Sequence, residues 1–207
     1  MSLKNDFLDI FNKMKGDSPE YDENDMADKI GAKIKAYVSS CTLTVSPTQL
    51  TGADTSPAGT FTGSASVSWS TQGTPIASKI KAVYAGMKDG SKKDVDLAQA
   101  IADGLDTDAP TWSVSLSGQT VTTTTPPQTV PSGDSGVITS TFDSASVKST
   151  LVSCFNAMKS MTSASDNPDD KFATELASAV ETYYTSSANN GKGASHLAAV
   201  TFTVTVS

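Results

Sequence analysis

The residues most suggestive of catalysis lie near the end of the 207-residue chain, where a lysine, a serine and the single histidine fall between Gly191 and His196. A serine whose proton is taken by a histidine is the usual nucleophile of covalent catalysis. Ser195 and His196 are, however, adjacent in a segment that the pattern of residues 196–200 predicts to enter a strand. Their side chains would then point to opposite faces. We therefore expect no catalytic residue and no enzyme activity.

The sequence also contains no motif that is typical of metal or cofactor binding. No cysteine and histidine stand at zinc-ligand spacing, and no glycine-rich phosphate loop occurs. Acidic residues crowd at 22–25, 94–96 and 166–170, but none of these segments follows the twelve-residue calcium loop of an EF-hand. Helix capping explains them, because acidic side chains satisfy free amides at a helix start. We predict no cofactor and no metal site.

Aromatic residues offer the remaining chemistry, since an exposed ring can stack on a sugar. Most of them fall in alternating strands or at helix ends, which favours packing roles. Tyr37 and Tyr183 occupy equivalent places, which also favours packing. Trp112 and Tyr184 are the two candidates for surface contact.

The two cysteines receive a structural interpretation. Cys154 lies on an apolar helix stripe and is predicted to be a small buried hydrophobe. Cys41 is predicted to begin a strand. Whether the two residues pair is left open by the sequence.

The charge pattern excludes several partners. All 15 basic residues are lysine and the net charge is -7, so phosphate and base recognition by arginine is absent and no nucleic-acid partner is expected. No apolar run reaches the roughly 18 residues of a membrane span, and the first residues lack the apolar core of a signal peptide. We therefore expect no membrane contact and assembly in a cytosol.

The elements that hold these residues are written three times along the chain. An aromatic residue followed three positions later by Met-Lys occurs at 11–15, 84–88 and 155–159, at nearly constant spacing. Each copy is predicted to end a first helix, with its methionine on the apolar stripe and its lysine in solvent. A second apolar stripe follows each acidic loop and predicts a second helix.

Both stripes together define the predicted repeat core. It comprises Phe7, Phe11, Met14, Met26, Ile30, Ile34, Ile80, Tyr84, Met87, Leu97, Ile101, Leu105, Leu151, Phe155, Met158, Phe172, Leu176 and Val180. We expect the three motif aromatics to be buried alike.

Each helix pair is followed by Thr, Ser, Val and Gly in alternating runs, which are typical of strands. The runs predict strands at 41–45, 60–69, 112–116, 120–125, 137–142, 196–200 and 201–206. The fold class is therefore α+β, with three tandem pseudo-equivalent α-α-β-β units and antiparallel sheets. The repeat units are 1–73, 74–144 and a shortened 145–207. They share burial and form either three domains or one compact pseudo-threefold domain.

The opening of the chain resembles small virion structural proteins of tailed bacteriophages. The resemblance rests on a short amphipathic helix, acidic residues, the stretch 26–38 (Met-Ala-Asp-Lys-Ile-Gly-Ala-Lys-Ile-Lys-Ala-Tyr-Val) and a Thr/Val/Ser/Gly-rich segment. It covers about residues 1–70 and, more weakly, the third repeat unit. It implies a non-enzymatic virion part assembled in the host cytoplasm and in contact with other virion proteins. Such a part would form a homo-oligomer or occur in many copies per particle.

The position within a particle is not fixed by this resemblance. A tripled unit suits a capsid decoration or cement protein on a local threefold axis, and we rank this position first. It also suits a ring in the neck, tail or baseplate. The alternative is a glycan-binding, adhesin-like module that uses loops of the Thr/Ser/Gly segments. The lack of an export signal counts against a cell-surface adhesin.

Overall fold

The computed structural model describes residues 2–15, 18–55, 58–122, 134–161, 167–197 and 199–207. Its contacts divide the chain into two compact units, each built from three segments. The helical unit comprises Met1–Ser40, Thr71–Pro110 and Phe142–Tyr184, and the sheet unit comprises Cys41–Ser70, Thr111–Thr141 and Thr185–Ser207. The predicted α+β class with antiparallel strands is confirmed.

This division groups elements by type, whereas the predicted repeat units 1–73, 74–144 and 145–207 group them along the sequence. The division into a helical unit and a sheet unit does not test whether the three repeat units are equivalent, and their equivalence stays a prediction.

The helices follow the two predicted stripes. They are α1 (Leu3–Lys13), α2 (Glu23–Ser40), α3 (Thr74–Lys88), α4 (Asp94–Thr107), α5 (Ser144–Lys159) and α6 (Pro168–Thr185). Among the apolar residues that they bury are Ile34, Leu105 and Val180, one from each second stripe. Burial of such a side chain contributes about 1.5–3 kcal/mol, so the stripes provide most of the drive for the helices to pack.

The predicted capping role of the acidic loops is confirmed where the structure describes them. The carboxylate of Asp22 accepts hydrogen bonds from the amides of Asn24 and Asp25, both at 2.8 Å, at the start of α2. Asn167 accepts the amide of Asp170 at 3.2 Å at the start of α6. Residue 166 lies outside the described residues.

Two glycines allow α2 to approach the start of α3. A Cβ placed on Gly31 would lie 2.2 Å from the carbonyl oxygen of Gly73, so only glycine fits there. Gly73 itself has a φ of 76°, which is a left-handed conformation that favours glycine.

The strands form one seven-stranded antiparallel sheet. They are β1 (Leu43–Ser46), β2 (Leu50–Thr55), β3 (Ala58–Ser70), β4 (Thr111–Thr122), β5 (Asp134–Thr141), β6 (Ala188–Gly193) and β7 (Thr201–Val206). The order across the sheet is β1-β7-β6-β5-β4-β3-β2. The sheet is curled, because β1 also approaches β3 and β2 also approaches β7.

Alternation along the strands sends apolar residues to the inner face and hydroxyl residues to the outer face. In the long β3–β4 pairing, Ala65 lies opposite Leu116, while the neighbouring register position pairs Ser66 with Ser115. The buried inner cluster consists of Leu50, Phe61, Leu116, Leu197, Val200, Phe202 and Val204.

Some strands differ from those predicted. The segment 196–200 was expected to be a strand, but Ser195–Leu197 forms a 3-10 turn whose Leu197 belongs to the inner cluster. β6 was not predicted, because Ala188-Asn-Asn-Gly-Lys-Gly contains no β-branched or aromatic residue. Its Gly191 lies under the ring of Phe202, where a Cβ would be 2.1 Å from a ring carbon.

One further strand is longer than predicted, and another was not predicted at all. β2 was also missed, since no strand was predicted between residues 45 and 60. The predicted runs 112–116 and 120–125 join into the single strand β4, and residues 123–125 lie outside the described residues.

Candidate functional site

The three Met-Lys motifs lie at the ends of α1, α3 and α5 in the helical unit. Phe11 and Phe155 are buried, whereas Tyr84 is half-buried, so the expectation that the three motif aromatics are buried alike is wrong for Tyr84. The three motif methionines are also half-buried, and the other residues of the predicted repeat core are buried. The motif therefore sits at the margin of the helical core.

Each motif lysine forms an ion pair with an acidic residue in the first turn of a second helix. We call these contacts the motif ion pairs: Lys15 with Asp169, Lys88 with Glu23 at 3.1 Å, and Lys159 with Asp94 at 2.9 Å. The sequence predicted solvated lysines. They are indeed more than half exposed, but the sequence did not reveal their partners.

Helix dipoles explain why these charges stand where they do. A lysine at the carboxyl end of a helix and an acid at the amino end each lower the electrostatic energy of the helix that carries them. Hydrogen bonds from its own backbone amide and from Lys88 lower the pKa of Glu23 below 4.5. Because both partners are partly exposed, one such pair contributes only about 0.2–1 kcal/mol.

Aromatic stacking lies directly behind the first and third motifs. The ring of Phe172 on α6 lies 5.2 Å from the ring of Phe11 and 5.2 Å from that of Phe155. At the second motif, the hydroxyl of Tyr84 lies 3.8 Å from the sulfur of Met26 on α2. Burial raises the pKa of Tyr84 above its ordinary 10.0, so this hydroxyl stays protonated.

A shallow cavity of about 250 Å³ opens among these side chains. Its walls are Phe11, Met14, Lys15, Met26, Tyr84, Asp169 and Phe172. The walls provide apolar and sulfur surface with one ion pair at the rim. That chemistry suits packing contacts.

The prediction of surface contact is wrong for Tyr184. Its side chain is fully buried, and its ring packs edge-on against Tyr183 at 5.0 Å and Phe142 at 6.1 Å. The reason is its spacing, four residues beyond Val180, which continues the apolar stripe of α6.

Trp112 is half-buried, and its indole N–H donates to the hydroxyl of Ser140 at 2.8 Å. Its ring lies 4.9 Å from that of Trp69, which pairs with it across β3 and β4. A ring held in this way is a half-buried packing residue of the sheet.

The 3-10 turn places His196 between two carboxylates that the sequence did not associate with it. Its Nε2 lies 3.7 Å from Asp54 and 3.5 Å from Asp134. The hydroxyl of Thr55 also donates to the carbonyl of His196 at 3.4 Å. These contacts connect β2, β5 and the turn. Only the register of a folded sheet brings the three residues together, so no local signal reveals them.

Within the described ranges, no group of histidine, cysteine and acidic side chains is arranged to hold a metal ion. Cys41 and Cys154 do not form a disulfide with each other. Burial raises the pKa of the Cys154 thiol, whose sulfur lies 3.7 Å from that of Met158, so this thiol is a poor nucleophile.

Comparison with protein-family models, with curated proteins and with solved structures gives no match. Among the described helices, none has the length and apolar composition needed to cross a membrane.

Proposed function

We propose that the protein is a non-enzymatic structural component of a tailed-phage virion, built from three equivalent α-α-β-β repeat units that close on one another in a ring. The observation that carries this proposal is the cyclic pattern of the motif ion pairs. Lys15 of the first repeat unit reaches the third, Lys88 of the second reaches the first, and Lys159 of the third reaches the second.

The acidic partners also occupy equivalent positions. Glu23, Asp94 and Asp169 each stand three residues before the first apolar residue of a second stripe. Unrelated helices would not place the same lysine against the same acid of a neighbouring repeat unit three times. The pattern therefore favours equivalence of the repeat units over a chance recurrence of Met-Lys.

Strand pairing follows a matching rule. The last strand of each repeat unit pairs with the first strand of the next, as β3 with β4, β5 with β6, and β7 with β1. β2 is an additional strand of the first repeat unit and pairs with β3. Helices and strands thus support the same cyclic order.

A ring of three similar repeat units presents three similar surfaces, as a trimer does. Such a chain fits a threefold position of a symmetric shell, where it would act as a decoration or cement protein. A neck, tail or baseplate ring is the second position that this geometry suits. The resemblance of residues 1–70 to small virion proteins supports either place. The partners would be other virion proteins, bound through protein–protein contacts by many copies per particle.

Mass spectrometry of gradient-purified particles from the phage that encodes this chain tests the proposal. We expect the chain at a fixed copy number per particle, and purified protein should rebind particles from which it has been stripped. Absence from purified particles, or a failure to rebind stripped ones, would overturn the virion role.

A further inference from the structure

The sheet unit carries almost none of the charge of the chain. Of the lysines and acidic residues, only Asp54, Asp134 and Lys192 belong to it. Surfaces of soluble proteins normally mix many charges of both signs. The outer face of this sheet must therefore remain hydrated through hydroxyl groups.

Exposed serine and threonine side chains cover that outer face. On β3 and β4 the outward pairs are Ser64 with Ser117, Ser66 with Ser115, Ser68 with Ser113 and Ser70 with Thr111. The face continues across β5, β6, β7 and β1, where Thr139, Asn190, Thr203 and Ser46 are exposed.

A groove of about 520 Å³ lies on this part of the outer face. Ser46, Thr139, Asn190, Lys192, Thr201 and Thr203 provide its polar lining. All six residues are exposed. Their side chains are therefore open to solvent, and a ligand that binds there can replace water on their polar atoms.

The register arranges four of these residues in a row across four strands. Asn190 pairs with Thr139 on one side and with Thr203 on the other, and Thr203 pairs with Ser46. Adjacent strands lie about 4.8 Å apart, so the row presents polar groups at a spacing similar to the width of a sugar ring. The hydroxyl of Thr203 donates to the carbonyl of Ser46 at 3.3 Å, which helps to fix one end of the row.

We propose that this groove binds a neutral saccharide. Hydroxyl and amide groups both donate and accept hydrogen bonds, as sugar hydroxyls do. No buried charge needs to be desolvated on binding, which keeps the cost of complex formation low. Pro47 in the lining and the exposed Val137 beside it supply apolar surface for the C–H face of a sugar ring.

Other ligand classes fit less well. An anionic polymer requires several cationic groups, and Lys192 is the one cationic residue among the described residues that line the groove. A peptide that extends the sheet requires an open strand edge, whereas the row lies on the face of four paired strands. Saccharide binding goes beyond the proposed structural role, and it would give a virion protein a direct contact with carbohydrate.

Titration calorimetry of the full chain against neutral hexasaccharides of glucose and of N-acetylglucosamine tests the proposal, with polygalacturonate as the anionic comparison. We expect binding of a neutral hexasaccharide. Asn190→Ala and Thr139→Val should each weaken it about tenfold, as expected for one lost hydrogen bond. Thr139→Val preserves the shape and β-branching of the side chain, so it isolates the hydroxyl.

Ser66→Ala and Ser115→Ala are matched controls, because they remove hydroxyls from the same outer face outside the groove. They should leave affinity unchanged, and thermal melts should show every variant folded. The proposal fails if no neutral saccharide binds at millimolar concentration, if the control variants weaken binding equally, or if only the anionic polymer binds and Lys192→Gln abolishes it. It also fails if sedimentation shows that a second copy of the chain covers the groove. Rebinding to particles is a separate measurement and reports on the virion role alone.

Discussion

The carboxylate of Asp108 is a single side chain on which the start of α3 depends. Asp108 is buried, and its two oxygens accept the amides of Gln72 at 2.8 Å and Gly73 at 2.7 Å. These amides precede the first helical turn and have no helical partner of their own. One acid thus replaces the N-cap side chain that Gly73 cannot provide.

We predict that Asp108→Ala lowers the unfolding free energy by about 1–3 kcal/mol, because two amides lose their acceptor. Asp108→Asn retains one acceptor oxygen and should cost less. Urea unfolding followed by circular dichroism measures both variants. Equal stability of Asp108→Ala and the unsubstituted chain would show that water replaces the carboxylate without penalty.

The ionisation of a single residue, Glu23, also makes the stability of the fold depend on pH. The pKa of Glu23 is lower in the folded chain than its ordinary 4.5, so the ionised form favours the folded state. This contribution is fully present above pH 4.5 and is lost as the pH falls through the folded pKa. The unfolding free energy, measured from pH 7 to pH 3, should therefore decline less steeply for Glu23→Gln than for the unsubstituted chain. A steeper decline for the variant would contradict a stabilising contribution from ionised Glu23.

At the scale of elements, the motif ion pairs connect helices whose ends already favour the charges involved. Their strength is limited by exposure, since the side chains of Lys88 and Glu23 are 66% and 38% exposed. They therefore specify which helices are neighbours more than they stabilise the fold. Apolar packing behind them, such as Phe172 between Phe11 and Phe155, supplies the larger free energy.

Double-mutant cycles on the three motif ion pairs should give similar coupling energies of about 0.2–1 kcal/mol, each reduced by 1 M salt. Lys79→Ala, at an exposed position on α3, is the control and should show no coupling to Glu23. Strong coupling in one pair with none in the other two would argue against equivalent repeat units.

The local sequence pattern was sufficient to predict the helices but not to predict every strand of the sheet. The stripes through Ile30, Ile101 and Leu176 predict α2, α4 and α6, because a helix buries residues three and four apart. β6 is a strand because its neighbours hold it, with Asn190 between Thr139 and Thr203. Its own composition gives no strand signal. The cluster around His196 was unpredictable for the same reason, since long-range register brings Asp54 and Asp134 to it.

At the scale of the whole molecule, the proposed cyclic order of equivalent repeat units would make the junctions between them interchangeable. Residues 71–73 connect β3 to α3, and residues 142–143 connect β5 to α5. The proposed equivalence of the repeat units predicts that a link of similar length from Ser207 to Ser2 completes the ring. The order in which the repeat units are translated should then matter little to the folded state.

A circular permutant that begins at Thr71 and ends at Ser70, with a short Gly-Ser link from Ser207 to Ser2, should therefore fold. We expect the same circular dichroism spectrum and a melting temperature within about 8 °C, the shift that ~1–2 kcal/mol produces in a chain of this size. A permutant opened between Lys35 and Ala36, inside α2, is the control and should fail. Equal failure of both would contradict cyclic closure.

The additional strand β2 would distinguish the first repeat unit from the other two on a particle. A single chain seated on a threefold axis can take three orientations related by rotation, and symmetric averaging merges them. Density for β2 would then fall to about one third of that for β3, while features common to the three repeat units would stay strong. Asymmetric reconstruction should restore β2 to full occupancy at one of three positions, with one chain and not three on each axis.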